Sequence, residues 1–244
     1  MSGITRINGV VVKATTSTSS SNDTLLSLAN VLDVADPIYG SGLDGDATIS
    51  TTTSLSRDMF YNNLVVNAST QLNPNGYRIF VRNLLTVNNG ATIGYTTGFS
   101  TAGSIAQGGA TATAVTHSLG GASASQTATA PTSGLGGVYY YQQPLQAIRG
   151  WATSASTTTP TFLRGGAGGA SGAGGGVVIL AARYISVSSG SATIAAPGTS
   201  GAGGGGGGVI LIISSYASIP SGISTDVTGG TGCSAGTVNY MRVA

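Results

Sequence analysis

Two apolar runs without polar alternation, Val177-Val178-Ile179-Leu180-Ala181-Ala182 and Val209-Ile210-Leu211-Ile212-Ile213, predict short strands buried on both faces. Laid over one another at an offset of 32, they bring Tyr184 over Tyr216, Gly190 over Gly222 and Gly198 over Gly230. At an offset of 100 an earlier stretch, Arg78 to Gly90, falls over Val178 to Gly190. Each copy reads as a hydrophobic strand, a second alternating strand, a small-residue turn ending in glycine, and a short strand such as Ala91–Ile93 or Ala192–Ile194. Residues 63–67 and 71–77 read as a shorter fourth member. Short strands punctuated by Asn-Gly and Ser-Gly turns predict an all-β chain. Repetition on this scale predicts stacked coils, a β-solenoid-like or sandwich arrangement in which each coil covers its neighbour's apolar face.

Each apolar run is entered from a glycine block, residues 165–176 and 203–208. In a chain that turns once every three residues, Ala167, Ala170 and Ala173 share one edge. Gly166, Gly169, Gly172 and Gly175 then make a second edge of bare backbone, open to close approach. A flexible linker is the plainer alternative. A linker, however, has no reason to abut an apolar strand twice at a fixed offset. Collagen fails on length and on missing proline. The blocks are therefore expected to be packed polyglycine-II segments.

The intervening residues 95–163 are dominated by Ser, Thr, Ala and Gly, with Tyr139-Tyr140-Tyr141 and Trp151 embedded among them. They carry too few large apolar residues for a core, and an insertion into a repeat array projects from one face, where binding loops sit. Residues 1–43 differ again. Val10-Val11-Val12 suggests a strand, and Asn22-Asp23 could cap a short helix with Leu25, Leu26, Leu28, Val31 and Leu32 on its apolar side. The chain accordingly divides into an N-terminal attachment region (1–43), a first β-repeat region (44–94), the insertion (95–163) and a glycine-rich β-repeat domain (164–244).

Composition narrows the function. Only 7% of the 244 residues are charged, against roughly 25% in an average globular chain, and glutamate is absent. A sparsely charged β-structure is expected to have its edges covered by partner chains, so a homo-oligomer is predicted. The eight arginines and one lysine are scattered, which argues against nucleic acid as a partner. The apolar runs are far shorter than the roughly 20 residues of a membrane-spanning helix, so no membrane insertion is expected. No secretion signal opens the chain, and delivery outside a cell would need another route such as host lysis.

Little of this resembles an enzyme. Glycoside hydrolysis commonly uses paired carboxyl groups, and only Asp44, Asp46, Asp58 and Asp226 qualify. Asp44-Gly45-Asp46 is more simply a turn, and as a calcium loop it lacks further oxygen ligands in sequence. His117 is the sole histidine and lies outside any nucleophile-elbow pattern. Cys233 alone makes neither a disulfide nor a zinc site. The glycine blocks lack the Gly-Lys-Ser/Thr of a phosphate loop. No enzymatic activity, metal or cofactor is expected. Tyr139, Tyr140, Tyr141 and Trp151 are the receptor-binding candidates, because aromatic faces stack on sugar rings. They could equally form a satellite core or a subunit interface. Tyr184 and Tyr216 recur with the strand unit and read as structural.

Asp44-Gly45-Asp46-Ala47-Thr48-Ile49-Ser50, then residues 55–67 and Asn75-Gly76-Tyr77-Arg78-Ile79-Phe80-Val81, resemble a recurrent module of tailed-phage virion proteins, where it precedes glycine-rich blocks and Gly-Val-Val-Ile-Leu-type strands. The glycine blocks also resemble in composition those of T-even-type tail-fibre adhesins, whose motifs pack as polyglycine-II helices with receptor-binding loops at one end. The resemblance implies a virion component, a tail-fibre, tail-tip or capsid-fibre protein attaching to the host surface, assembled in the host cytoplasm and released by lysis. It further implies a homotrimer with other virion proteins and a host glycan or outer-membrane protein as partners. A purely architectural decoration or accessory role is the alternative, and a polysaccharide depolymerase the less favoured one.

Overall fold

A computed structural model describes residues 38–99, 121, 123 and 165–243, together with the backbone of four short strands at 4–7, 10–13, 115–116 and 128–129. The chain forms two compact units, Met1–Asp36 and Pro37–Ala244. In the first, β1 (Ile4–Ile7) and β2 (Val10–Lys13) pair antiparallel, which places the Val10-Val11-Val12 run in a strand as its composition suggests. The predicted helix at residues 22–32 lies outside the described residues.

Among its described residues the second unit is all-β, with parallel strands in two larger sheets. Its strands are β3 (Ala47–Ile49), β4 (Thr53–Ser54), β5 (Met59–Tyr61), β6 (Leu64–Val66), β7 (Gln71–Asn73), β8 (Ile79–Val87) and β9 (Thr92–Gly94). After these come β10 (Val115–Thr116), β11 (Ala128–Thr129), β12 (Val177–Val187), β13 (Ala192–Ala195), β14 (Val209–Ser214), β15 (Ile223–Asp226) and β16 (Thr237–Arg242). One seven-stranded sheet runs β16-β14-β12-β8-β6-β3 with β5 also on β8; a five-stranded sheet runs β15-β13-β9-β7-β4. β10 and β11 make a separate parallel pair.

Parallel pairing needs long connections, and the repeat supplies them. Val177 to Ala181 pair in register with Val209 to Ile213, the offset of 32 legible in the sequence. Tyr184 to Val187 pair with Leu84 to Val87 at the offset of 100, but Leu180 to Ala182 pair with Ile79 to Val81, one residue further out. A bulge between Ala182 and Tyr184 absorbs the difference. The expectation of two strands per copy is also corrected: β8 and β12 are single strands that run on through the bulge, parallel to their partners throughout. β8 meets β5 through Ile79–Val81 and β6 through Leu85–Val87, so Arg82-Asn83-Leu84 bends past the Asn62-Asn63 gap.

Burial follows the predicted pattern. Val177 to Ala182 and Val209 to Ile213 are buried on both faces. Val178, Leu180, Ile210 and Ile212 face a core shared with Ile79, Leu64, Leu72 and Ile93. Val177, Ile179, Leu211 and Ile213 face a second cluster with Tyr39 and Phe80. Between the sheets, Gly90, Gly190 and Gly222 take positive φ (69°, 67° and 91°) at the equivalent turn of successive copies, which is why that turn ends in glycine. Asparagine ladders tie the turns together. Asn83 Nδ2 donates to Asn62 Oδ1 at 2.7 Å, and Asn62 Nδ2 in turn to Asp46 Oδ1 at 2.8 Å. Stacking one amide per strand level satisfies a polar group at every step.

The glycine blocks do not run straight. Residues 165–176 fold back at Ala170-Ser171-Gly172, with Gly166 N–H donating to Gly175 O at 2.9 Å and Gly169 N–H to Gly172 O at 2.7 Å. Two similar fold-backs follow: Gly208 N–H reaches Ala196 O at 2.8 Å, and Gly236 N–H reaches Val227 O at 2.8 Å. The single alanine edge is thereby broken, Ala167 being buried, Ala173 half-buried and Ala170 exposed. The bare-backbone edge survives: Gly166, Gly169, Gly172 and Gly175 are all buried, and a Cβ added at any of them would come within 3.0 Å of neighbouring atoms.

Candidate functional site

Tyr139, Tyr140, Tyr141, Trp151 and His117 lie outside the described residues. The structure does describe how the insertion that carries them is held. On leaving β9 the chain passes Tyr95, which is buried. Its hydroxyl accepts from Gly76 N–H at 3.1 Å and donates to Val177 O at 3.3 Å. Burial pushes the Tyr95 phenol's pKa up, so it keeps the proton that the second bond needs. The Tyr95 ring stacks on Phe99 with centroids 4.5 Å apart, and Phe99 N–H donates to Gly174 O at 2.9 Å. Gly176 has no room for a side chain here, since an added Cβ would lie 2.8 Å from the Tyr95 ring.

Midway through the insertion the chain returns to the glycines. Gly121 N–H donates to Gly207 O at 2.7 Å, Ala167 N–H donates to Gly121 O at 3.0 Å, and Ser123 Oγ donates to Gly168 O at 3.0 Å. The insertion is thus bonded into the glycine segments at Phe99 and at Gly121, and it rejoins them at Gly165. Within those segments hydrogen bonding rotates from one neighbour to the next. Gly205 and Gly208, three residues apart, donate to Thr199 O and Ala196 O of one segment at 3.1 and 2.8 Å. Gly206 between them donates to Ala167 O at 2.8 Å, and Gly207 to Ser234 O at 3.0 Å. Four consecutive N–H groups therefore bind three different segments, with the first and fourth sharing one. That is the repeat of a chain with three residues per turn.

The carboxylates named from sequence are all engaged in hydrogen bonds. Asp44 forms a salt bridge with Arg57, at 2.6 Å, and accepts Phe60 N–H at 2.7 Å. Asp46 accepts from Asn62 Nδ2 and from both nitrogens of Asn63. Asp58 pairs with Arg78, accepting its backbone N–H at 2.8 Å and its Nε at 2.9 Å. Asp226 accepts Thr228 N–H at 3.0 Å. Among the described residues no group of three or more His, Cys, Asp or Glu side chains could hold a metal. Cys233 is half-buried, its thiol donating to Gly204 O at 3.1 Å.

The Arg57 guanidinium holds the Asp44 carboxyl below its ordinary 3.8, and the Asn62 and Asn63 amides do the same for Asp46. A carboxyl whose folded pKa is depressed contributes stability above its unfolded pKa and loses it as pH falls through the folded value. Thermal stability should therefore drop as the pH goes below about 4. In Asp46→Asn, which keeps an acceptor for Asn62 but carries no charge, that drop should be shallower. Melting curves from pH 7 to pH 2.5 read by circular dichroism check this; parallel acid limbs in the two proteins would refute it.

The two aromatics that recur with the strand unit are open to solvent. Tyr184 and Tyr216 are 43% and 42% exposed, with their rings 6.0 Å apart in an edge-on pair. Period-two alternation fails to predict this because Tyr184 follows the bulge in β12, which resets which side chains face in, and Tyr216 lies just beyond the end of β14.

No protein-family model, curated protein or solved structure matches this chain.

Proposed function

We propose that the chain is a structural component of a tailed-phage particle, a tail-fibre, tail-tip or capsid-fibre protein that attaches to the host surface through its 95–163 insertion. In this reading the parallel sheets are the sides of a β-solenoid and the glycine segments form a polyglycine-II lattice that mounts the insertion. The observation that carries it is the three-residue rotation of N–H bonds at Gly205–Gly208 together with the bonds from Phe99 and Gly121 into the same segments. A binding loop set on rigid elements holds its contact groups better than one on a free linker. Tyr139, Tyr140, Tyr141 and Trp151 are the receptor-contact residues of this reading. Its partners are a host glycan or outer-membrane protein and other virion proteins, and its assembly is a homotrimer.

The engagement of Asp44, Asp46 and Asp58 by amides and guanidinium groups of neighbouring segments supports a non-enzymatic role, because a general acid or nucleophile has to be available to its substrate.

Flow cytometry with the labelled full-length chain on a panel of bacterial strains tests the reading. Saturable binding to at least one strain is expected, falling about tenfold in a variant with Tyr139, Tyr140, Tyr141 and Trp151 all changed to serine. A chain that light scattering shows to be trimeric, and that labels no strain, would return the protein to the purely architectural role.

A further inference from the structure

At the bend in β8 and β12, Leu84, Tyr184 and Tyr216 stand one above another on the solvent side. Leu84 and Tyr184 are partners in the ladder, and the Tyr216 ring packs edge-on against Tyr184. Their exposures are 39%, 43% and 42%, although the next residues inward, Leu85 and Ile185, are buried. Among the described residues these are three of the four large hydrophobics left exposed, and they fall in a single stripe. Contiguous apolar surface of this kind marks an interaction site more often than scattered side chains do.

Two guanidinium groups flank the stripe. Arg183 Cζ lies 5.6 Å from the centroid of the Tyr184 ring, and Arg242 Nε donates to the backbone oxygen of Ser215, the residue before Tyr216, at 3.3 Å. The salt bridges among the described residues are Arg57–Asp44 and Arg78–Asp58. Arg183 and Arg242 therefore carry no carboxylate partner there. In a chain with so few charges, two uncompensated cations beside an exposed aromatic pair are complementary to a ligand that is flat, apolar on its faces and anionic at its edge. Sugar rings bearing carboxylates have that form: C–H faces stack on tyrosine, and a carboxylate matches the guanidinium fork.

We propose that the Leu84–Tyr184–Tyr216 stripe binds an acidic polysaccharide, its pyranose rings on Tyr184 and Tyr216 and its uronate carboxylates on Arg183 and Arg242. For its biological setting this rests on the attachment reading, to which it adds a contact surface on the body separate from the insertion. The Asp46–Asn62–Asn83 ladder lies at the same bend, with Asp46 on its first level. The sugar is therefore expected to run toward Tyr216 and away from that carboxylate.

The test is calorimetric titration of the full chain with hexasaccharides of galacturonate, of mannuronate and of hyaluronan, with maltohexaose as the neutral control and dextran sulfate as the charge control. At least one uronate hexamer should bind about tenfold more tightly than maltohexaose. Y184A/Y216A should weaken that binding about tenfold, and R183Q/R242Q should abolish the preference over maltohexaose. Melting temperatures should stay unchanged, because all four side chains are at least partly exposed. Equal uronate binding by Y184A/Y216A and the unaltered chain overturns the proposal. So does tighter binding of dextran sulfate than of every uronate, which would reduce the stripe to non-specific charge attraction, or no uronate binding at all. The same variants on the strain panel separate the two readings. Cell binding without uronate binding overturns the stripe alone, while uronate binding with no strain labelled overturns attachment and leaves the stripe standing.

Discussion

Gly207→Ala is expected to destabilise the protein by about 3 kcal/mol or more, at the upper end of overpacking penalties, whereas Gly201→Ala should cost only about 1–2 kcal/mol. Both positions are glycines of the same segment, and the difference lies in what surrounds them. A Cβ at Gly207 would sit 2.5 Å from Gly236 N and 2.7 Å from the Val227 carbonyl carbon, and closer still to the Val227 oxygen. Every one of those atoms is backbone, so no side chain can swing aside. Relief requires separating whole segments, and that breaks the bonds from Gly207 N–H to Ser234 O and from Gly121 N–H to Gly207 O. Gly201 has positive φ, 92°, with nothing within 4 Å of an added Cβ, so alanine there carries only the left-handed strain. Urea unfolding of the two variants beside the parent measures the contrast. Equal midpoints for Gly207→Ala and the parent would mean that these segments do not pack as closely as described.

The same contrast explains how far the sequence can be read. The offset of 32 is visible because Val177–Ala181 and Val209–Ile213 occupy equivalent places in successive copies and face the same two cores. Side chains doing the same job converge on the same types. The earlier pairings escape notice because β3, β5 and β6 are only three residues each, too few to show a pattern, and pair at other spacings. Glycine tracts declare close approach, since no other residue leaves the backbone bare. They do not declare which backbone approaches: the fold-back at 170–172 depends on carbonyls at Gly203, Gly206 and Gly172 that lie far along the chain or across the turn. The third such segment, residues 227–236, is poorer in glycine and goes unnoticed until its bonds to Gly205 and Gly207 are seen. Asn62, Asn83 and Asn88 look like turn residues in sequence. Their ladder role could have been read from the recurrence of asparagine after each short apolar strand.

Leu180→Ala is the second large effect, an expected loss of about 2–5 kcal/mol. Leu180 is fully buried, and it pairs with Ile79 on one side and Ile212 on the other, both also fully buried. Truncation there opens a cavity bounded by β-branched side chains fixed by two ladders, which have few rotamers with which to fill it. The cost extends beyond the missing methyls. β12 lies between β8 and β14 in the large sheet, so weakening it loosens the ladders on both sides. The transition should accordingly broaden as well as shift. Leu84→Ala removes the same atoms from the exposed stripe and should change stability by no more than about 0.5 kcal/mol. Differential scanning calorimetry of both variants decides the matter, and an unchanged, equally sharp transition in Leu180→Ala would refute the two-ladder packing of β12.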